Sequence, residues 1–439
     1  MIPLSPTRES SFFDDPPSYA RSTDSGSSIP SPQYSPSPRA SELIIRSGSE
    51  ATCLSLDNYA YRSKHITVNL GPKIWGTSIP IYGNNASIDG TLSLSGDLRG
   101  VTAMYIKAVL QGAVTNTYTE RGLITGSSSV GVLETCCSFA TLAPDEWSDG
   151  RPFSITFPTA VVGRRNPLPP SAIIYLPGIT CAVRYRLKVK LFRKGLRRNE
   201  CFKIPLLYLP RTFAKGPLLS RIPSIPSDPN QLTSGDYAQG VYSVPLRGSS
   251  KKLSIDNAPS IILTLPSTLS FASYDSIPVS LSVRPAQNAA IAKLLLSAAK
   301  IQLVKRSRTW LNGGRNASKH ESLLAVAEVV DADEGQANAN TVSYELCTAR
   351  PAAQKSWAID GVAEQQYYIH VSINPPPAMA AHMPTYECEQ LVEITTDAFD
   401  THEREIVELG GTPTPAIGTL GAESPYSRPE VVNMLGAFR

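Results

Sequence analysis

The nine residues Val183-Arg184-Tyr185-Arg186-Leu187-Lys188-Val189-Lys190-Leu191 decide the fold class that the sequence predicts. Apolar and basic residues alternate along the whole stretch, and a period of two is typical of a β-strand with one buried and one solvated face. The stretch therefore predicts a half-buried strand. Its outer face carries a row of four positive charges, namely Arg184, Arg186, Lys188 and Lys190.

Similar runs on both sides of this strand extend the prediction to most of the chain. Ile66–Leu70 and Phe153–Phe157 precede it, and Ser260–Leu265, Ile277–Val283 and Tyr367–Ile373 follow it. Each run has Gly, Pro, Asn or Asp nearby, and short strands separated by turn residues are typical of β-sandwiches. The composition agrees, because Pro (37) outnumbers Gly (29) and only 18% of the residues are charged. We therefore expect an all-β protein.

The strand runs form two series, so the 439 residues divide into five segments. The Ser/Pro-rich start has too few apolar residues to offset chain entropy, and the prolines of Ile222–Pro229 cannot donate to a central sheet. We expect a disordered arm (1–60), an amino-terminal β-sandwich (61–212), a connector (213–257), a carboxy-terminal β-sandwich (258–399) and a flexible tail (400–439).

Several classes of protein do not fit the sequence. No apolar run reaches about 18 residues, and the first residues lack the pattern of a signal peptide. The seven cysteines are an odd number without a C-x-x-C pair, which favours a reducing cytosol. A net charge of +4 is small for a protein that wraps nucleic acid. We expect a cytoplasmic protein that binds no nucleic acid.

Motifs for catalysis are absent from the sequence. It has no G-x-S-x-G elbow, no Walker loop and no H-E-x-x-H, and its five histidines are scattered. We therefore expect no enzyme, no metal and no cofactor. A β-sandwich hydrolase whose His, Asp and Ser meet only in space remains an alternative for the structure to test.

Five segments follow one another in a fixed order through the first half of the chain. They are Pro80-Ile81-Tyr82-Gly83, Ile88-Asp89-Gly90-Thr91-Leu92, Ile106–Gly112, Phe153–Pro158 with Leu168-Pro169-Pro170-Ser171, and Val183–Val189. This order resembles the amino-terminal domain of the arrestin family, and most closely its α-arrestin branch. In that comparison Gly112 ends a strand and Tyr185 belongs to a closing strand. In the second half, Tyr274–Val279 and Pro384-Thr385-Tyr386 are similar to the same family.

The resemblance implies two immunoglobulin-like arrestin β-sandwiches in tandem. It also implies a non-catalytic adaptor that couples membrane cargo to trafficking or ubiquitination machinery. Fold analogy alone does not establish such a function, so the residues have to supply their own argument.

The motif Pro16-Pro17-Ser18-Tyr19 is a PPxY ligand of WW domains. Two prolines preset a polyproline-II segment, so Pro16 and Pro17 bind an aromatic groove at low entropic cost while Tyr19 fills a specificity pocket. The partner would be a WW-domain HECT-type ubiquitin ligase. Because the arm is rich in Pro and Ser, a chance match remains the alternative.

The basic strand offers a second binding site. Arg184, Arg186, Lys188 and Lys190 could hold an acidic or phosphorylated cargo tail or an anionic membrane surface, because arginine makes bidentate phosphate contacts. A solvated face protected by its charge is the alternative. Nearby cations extend the row, namely Arg193, Lys194, Arg197, Arg198 and Lys203. A smaller cluster of Lys305, Arg306 and Arg308 we expect to be solvated.

The leading hypothesis is thus an α-arrestin-like adaptor that brings a WW-domain ligase to transporter or receptor tails, for ubiquitination and endocytosis. It would be recruited from the cytoplasm to the plasma membrane or endosomes. The alternative is an arrestin-shaped scaffold in endosomal sorting or pH signalling that recruits no ligase.

Overall fold

Strands dominate the part of the chain that the structure, a computed structural model, describes. The described residues are 57–94, 104–139, 150–193, 199–223, 240–248, 259–284, 289–311, 316–336, 339–347, 354–377, 379–380 and 383–420. Within them the strands pair into four sheets, and short helices are few. The predicted all-β class with two sandwiches in tandem is confirmed.

Ten strands build the first sandwich. They are β1 (Asn58–Arg62), β2 (Ile66–Pro72), β3 (Ile81–Tyr82), β4 (Ser87–Leu94), β5 (Met104–Glu120), β6 (Leu123–Phe139), β7 (Arg151–Thr156), β8 (Ala172–Leu176), β9 (Ile179–Arg193) and β10 (Glu200–Tyr208). One sheet has the order β1-β2-β4-β7, and the other has the order β3-β10-β9-β5-β6 with β8 beside β9. Side chains from both sheets form one buried core, which holds the two sheets face to face.

Tyr185 lies in this core and contacts residues of three other segments that resemble arrestins, which are Gly112, Phe157 and Pro169. Its side chain is 2% exposed, and its hydroxyl donates a hydrogen bond of 2.6 Å to the carbonyl of Pro169. The ring of Phe157 meets Tyr185 edge to face at 5.9 Å and stacks on Tyr208 at 4.7 Å. Aromatic pairs at these distances add stabilisation beyond the area that they bury.

Gly112 provides the room for the Tyr185 ring. A Cβ atom at position 112 would lie 2.5 Å from Cε1 of Tyr185, which is too close for any side chain. The expectation that a strand ends at Gly112 is wrong, because β5 continues to Glu120. The glycine is needed for close packing within the strand and does not terminate it.

The second sandwich contains twelve further strands and one helix. They are β11 (Val241–Pro245), β12 (Arg247–Gly248), β13 (Ser260–Pro266), β14 (Ser270–Ala272), β15 (Ser276–Arg284), α1 (Ala289–Ser297), β16 (Ala299–Leu311), β17 (Asn316–Val326), β18 (Glu328–Gln336), β19 (Ala339–Cys347), β20 (Trp357–Ile359), β21 (Ala363–Ile373) and β22 (Tyr386–Thr395). The sheet orders are β11-β13-β15-β19-β18 and β12-β22-β21-β16-β17, and β14 and β20 pair with β22 and β21. They enclose a second core.

Two short strands fall within the segment that the sequence suggests is a connector. β11 and β12 add to edges of the two sheets of the second sandwich. Proline is acceptable there, because Pro245 lies in an edge strand, where a missing N–H costs no ladder hydrogen bond.

The beginning of the expected flexible tail forms regular structure. A helix, α2 (His402–Glu408), follows the second sandwich, and the chain then returns to the first one. The amide of Ala416 donates to the carbonyl of Leu209, and Arg211 Nε donates to the carbonyl of Thr414 at 2.8 Å. These bonds tie the segment to residue 420 against the first sandwich, which sequence composition did not indicate.

Candidate binding surface

The predicted basic strand is β9, and its alternation is observed. Val183, Tyr185, Leu187, Val189 and Leu191 are buried, and the four basic residues between them are partly exposed on the other face of the sheet. This outcome follows from the alternation of residues along the strand, because every second side chain is buried in the first core.

Neighbouring strands add two lysines to this face. Lys107 of β5 stands opposite Lys190, and Lys203 of β10 stands opposite Lys188. Directly opposed side chains in a sheet lie about 5 Å apart at Cβ. We call the resulting surface the basic face, and it consists of Lys107, Arg184, Arg186, Lys188, Lys190 and Lys203.

No acidic residue lies among the outward positions of β5, β9 and β10 within the described residues. Sequence reasoning missed Lys107, although its place in the alternating run Tyr105–Val109 was a usable signal. Lys203 was expected only as a neighbour in sequence. The register of the sheet makes it a direct neighbour in space.

The cations of the basic face repel one another, and Lys188 shows the effect. Burial lowers the pKa of its ammonium group, and the nearby charges of Lys190, Arg186 and Lys203 lower this pKa further, while Cys201 opposes the change. Like charges around a group always disfavour its charged form. A bound anion would relieve this repulsion and would raise the pKa of Lys188.

Other side chains on the face shape its edges. Arg186 Nε donates to Gln111 Oε1 at 3.3 Å, and Gln111 Nε2 donates to Glu134 Oε2 at 3.0 Å, so one carboxylate on β6 borders the cations. Tyr105 and Phe192 form an aromatic pair with ring centroids 5.4 Å apart at one end of the face. The surface therefore offers a cationic strip that ends in two aromatic rings.

Two groups of predicted site residues lie outside the described residues. Pro16, Pro17 and Tyr19 lie outside the described residues, so the PPxY prediction stays a prediction. The same holds for three cations that follow β9, which are Lys194, Arg197 and Arg198.

The expected solvated cluster of Lys305, Arg306 and Arg308 is wrong for Arg306. This residue is 5% exposed, and its guanidinium donates to Glu321 at 2.5 Å and to both oxygens of Glu389 at 2.8 Å. It also lies 4.0 Å above the ring of Tyr368. Because four strands meet here, acids distant in sequence neutralise the arginine, and it acts as a structural cross-link.

The two sandwiches meet at a polar junction beside a cavity of ≈ 640 Å³. Lys355 is buried there, and its Nζ donates to the carbonyl of Pro210 at 2.5 Å. Burial lowers the pKa of Lys355 to about 7, and the negative charge of Asp397 limits the change. Arg211 forms an ion pair with the same Asp397. Each of these charged groups has a partner across the junction, so they serve to hold the sandwiches together.

Among the described residues, no group of three His, Cys, Asp or Glu side chains is placed to hold a metal ion. The helices in the described ranges are too short or too polar to cross a bilayer.

Comparisons with known proteins give a likeness in structure and none in sequence. No protein-family model matches the chain, and no curated protein matches its sequence. Among solved structures, squid arrestin is similar with a TM-score of 0.37 and 11% sequence identity, covering 78% of this chain and 98% of that one.

Proposed function

We propose that this protein is a non-catalytic, arrestin-like adaptor that holds acidic segments of membrane-protein tails on its basic face. The observation that carries the proposal is the face itself: six cations on three adjacent strands without an acidic residue among them. The order of sequence motifs that resembles arrestins supports the adaptor role.

An acidic ligand fits this surface on physical grounds. The charges stand in rows about 5 Å apart, so successive acidic side chains of an extended peptide can each face a cation. Arginine adds bidentate contacts with carboxylate or phosphate. Anionic membrane is the rival ligand, and the aromatic pair of Tyr105 and Phe192 suits a lipid headgroup region as well.

The basic face predicts a charge-dependent interaction. Replacing Arg184, Arg186, Lys188 and Lys190 with Gln should weaken capture of an acidic tail peptide by about fourfold or more at low salt, since each of the four exposed pairs contributes roughly 0.2–1 kcal/mol. The loss should shrink as salt shortens the screening length to about 10 Å at 0.1 M. The measurement is a peptide titration at two salt concentrations, with cosedimentation on anionic vesicles in parallel.

A matched control variant distinguishes the effect of the basic face from the effect of a lower overall charge. Exchange of Arg62, Lys64, Arg165 and Lys300 for Gln removes the same charge from exposed positions elsewhere. Equal binding by both four-site variants would refute the basic face as the binding surface. Loss of vesicle binding alone would assign the face to membrane.

We propose further that Pro16, Pro17 and Tyr19 recruit a WW-domain HECT-type ubiquitin ligase to the bound cargo, at the plasma membrane or endosomes. Tyr19→Ala should abolish WW-domain binding in a titration of the full chain and leave cargo binding intact, because the motif contributes its tyrosine to the WW pocket. Tyr34→Ala, in the incomplete motif Pro32-Gln33-Tyr34, is the control. Unchanged WW binding by Tyr19→Ala would favour the alternative, an arrestin-shaped scaffold in endosomal sorting or pH signalling.

A further inference from the structure

The edges of the four sheets differ in how they avoid pairing with other chains. An unpaired edge strand offers free N–H and C=O groups, and proteins usually protect it by short length, charge or proline. Most edge strands here follow this rule. Four edge strands are short: β1 and β8 have five residues each, and β3 and β12 have two. Two contain a proline, which is Pro152 in β7 and Pro245 in β11. Two carry charges, which are Lys319 and Glu321 in β17 and Glu328 and Asp331 in β18.

β6 is the exception among these edges. It has 17 residues and pairs only with β5 within the described part of the sheet. From Leu123 to Leu133 its sequence is Leu-Ile-Thr-Gly-Ser-Ser-Ser-Val-Gly-Val-Leu, which contains neither a charge nor a proline. At Val132 the carbonyl accepts a hydrogen bond from Val162, so the open part of the edge is Leu123–Gly131. Nine residues exceed the usual strand length of five to six.

We propose that this open edge of β6 pairs antiparallel with the same edge of a second copy of the chain, which joins two sandwiches through one continuous sheet. The interaction rests on backbone hydrogen bonds, as in other cases of strand addition. It is independent of the basic face and of the proposed cargo.

The sequence of the edge argues for a second copy as the partner. A two-fold axis places each strand against itself, so any charge would meet its own copy nearby, and the neutral stretch avoids this repulsion. Pairing centred on Ser127 sets Ile124 of one copy opposite Val130 of the other. Both side chains are exposed in the single chain, by 65% and 38%, and each would cover the other.

The experiment measures self-association of the full-length protein between about 1 and 100 μM by sedimentation equilibrium. We expect wild type to form dimers and Ser127→Lys to weaken the dimer at least tenfold, because two lysines would then stand directly opposite each other. Ser154→Lys is the matched control. It places the same charge on an exposed position of β7, an edge of the other sheet in the same sandwich.

Hydrogen exchange at low and high protein concentration locates the interface. Pairing predicts that amides within Leu123–Gly131 gain protection as dimers form, and that Ser127→Lys abolishes this gain while circular dichroism remains that of the wild type. A wild type that stays monomeric at 100 μM would overturn the proposal. A dimer that Ser127→Lys does not weaken would also overturn it. So would a dimer in which the amides of Leu123–Gly131 gain no protection from hydrogen exchange.

Discussion

Substitution of Gly112 by alanine tests how the first core is packed. The added Cβ would lie 2.5 Å from Cε1 and 2.7 Å from Cδ1 of Tyr185, and 3.1 Å from Cγ2 of Val132. The Tyr185 ring is fully enclosed, so it cannot rotate away without disturbing its neighbours. Overpacking of a core costs about 1–3 kcal/mol.

A second cost arises if the ring moves. The hydroxyl of Tyr185 donates to the buried carbonyl of Pro169, and leaving such a group unsatisfied costs roughly 1–3 kcal/mol. The two costs overlap, because a shifted ring relieves the clash. We therefore expect Gly112→Ala to lower the free energy of unfolding of the first sandwich by about 2–4 kcal/mol.

Urea unfolding followed by tyrosine fluorescence measures this loss. Gly131→Ala in β6 is the control, because a Cβ there has no atom within 4 Å, and we expect a change below about 0.5 kcal/mol. Gly112→Ala should also cost less when Tyr185 is already leucine, which frees the space. Equal costs in the two backgrounds would refute the steric argument, since a double-mutant cycle would then show no coupling.

Two further predictions concern charged residues in the interior. Because burial lowers the pKa of Lys355 to about 7, the unfolded chain holds more protons between pH 7 and about 10, and stability should rise with pH there by at most about 1.4 kcal/mol per unit. Lys355→Met should flatten that slope in urea unfolding at pH 6.5, 7.5 and 8.5, and an unchanged slope would contradict the assignment. Arg306→Met should cost about 1–2 kcal/mol, because its carboxylate partners are partly exposed and can be hydrated again. Lys319→Met, which loses a single ion pair with the partly exposed Glu321, should cost less in the same assay, and equal losses would argue against the Arg306 cross-link.

The strand periodicity could be read from the sequence, but the length of the strands could not. The segment Ile106–Gly112, where a strand was expected to end, lies inside a strand of 17 residues that continues to Glu120. β6 shows no alternation of apolar and polar residues, because most of its side chains are exposed and only Val132 and Leu133 are buried. Backbone pairing with β5 makes it a strand, and a pattern of side-chain burial cannot indicate pairing that buries so few side chains.

The sequence also did not indicate which residues would surround each charged side chain. Arg306 and Lys188 are both basic residues in alternating strands, yet one is enclosed by carboxylates and the other is surrounded by cations. The difference lies in the strands next to them, which come from distant parts of the chain. Sequence spacing indicates which face a residue takes, and the neighbours on that face depend on register.

The sequence by itself determined that β9 would be a strand and that its four cations would share one face. That result needs only the period of two and a core that excludes charge. The tertiary structure alone decided that Lys107 and Lys203 join them, that Tyr185 rests on Gly112, and that Lys355 is buried between the sandwiches. These contacts join residues far apart in the chain, and their positions are fixed by packing and hydrogen-bond register over whole sheets.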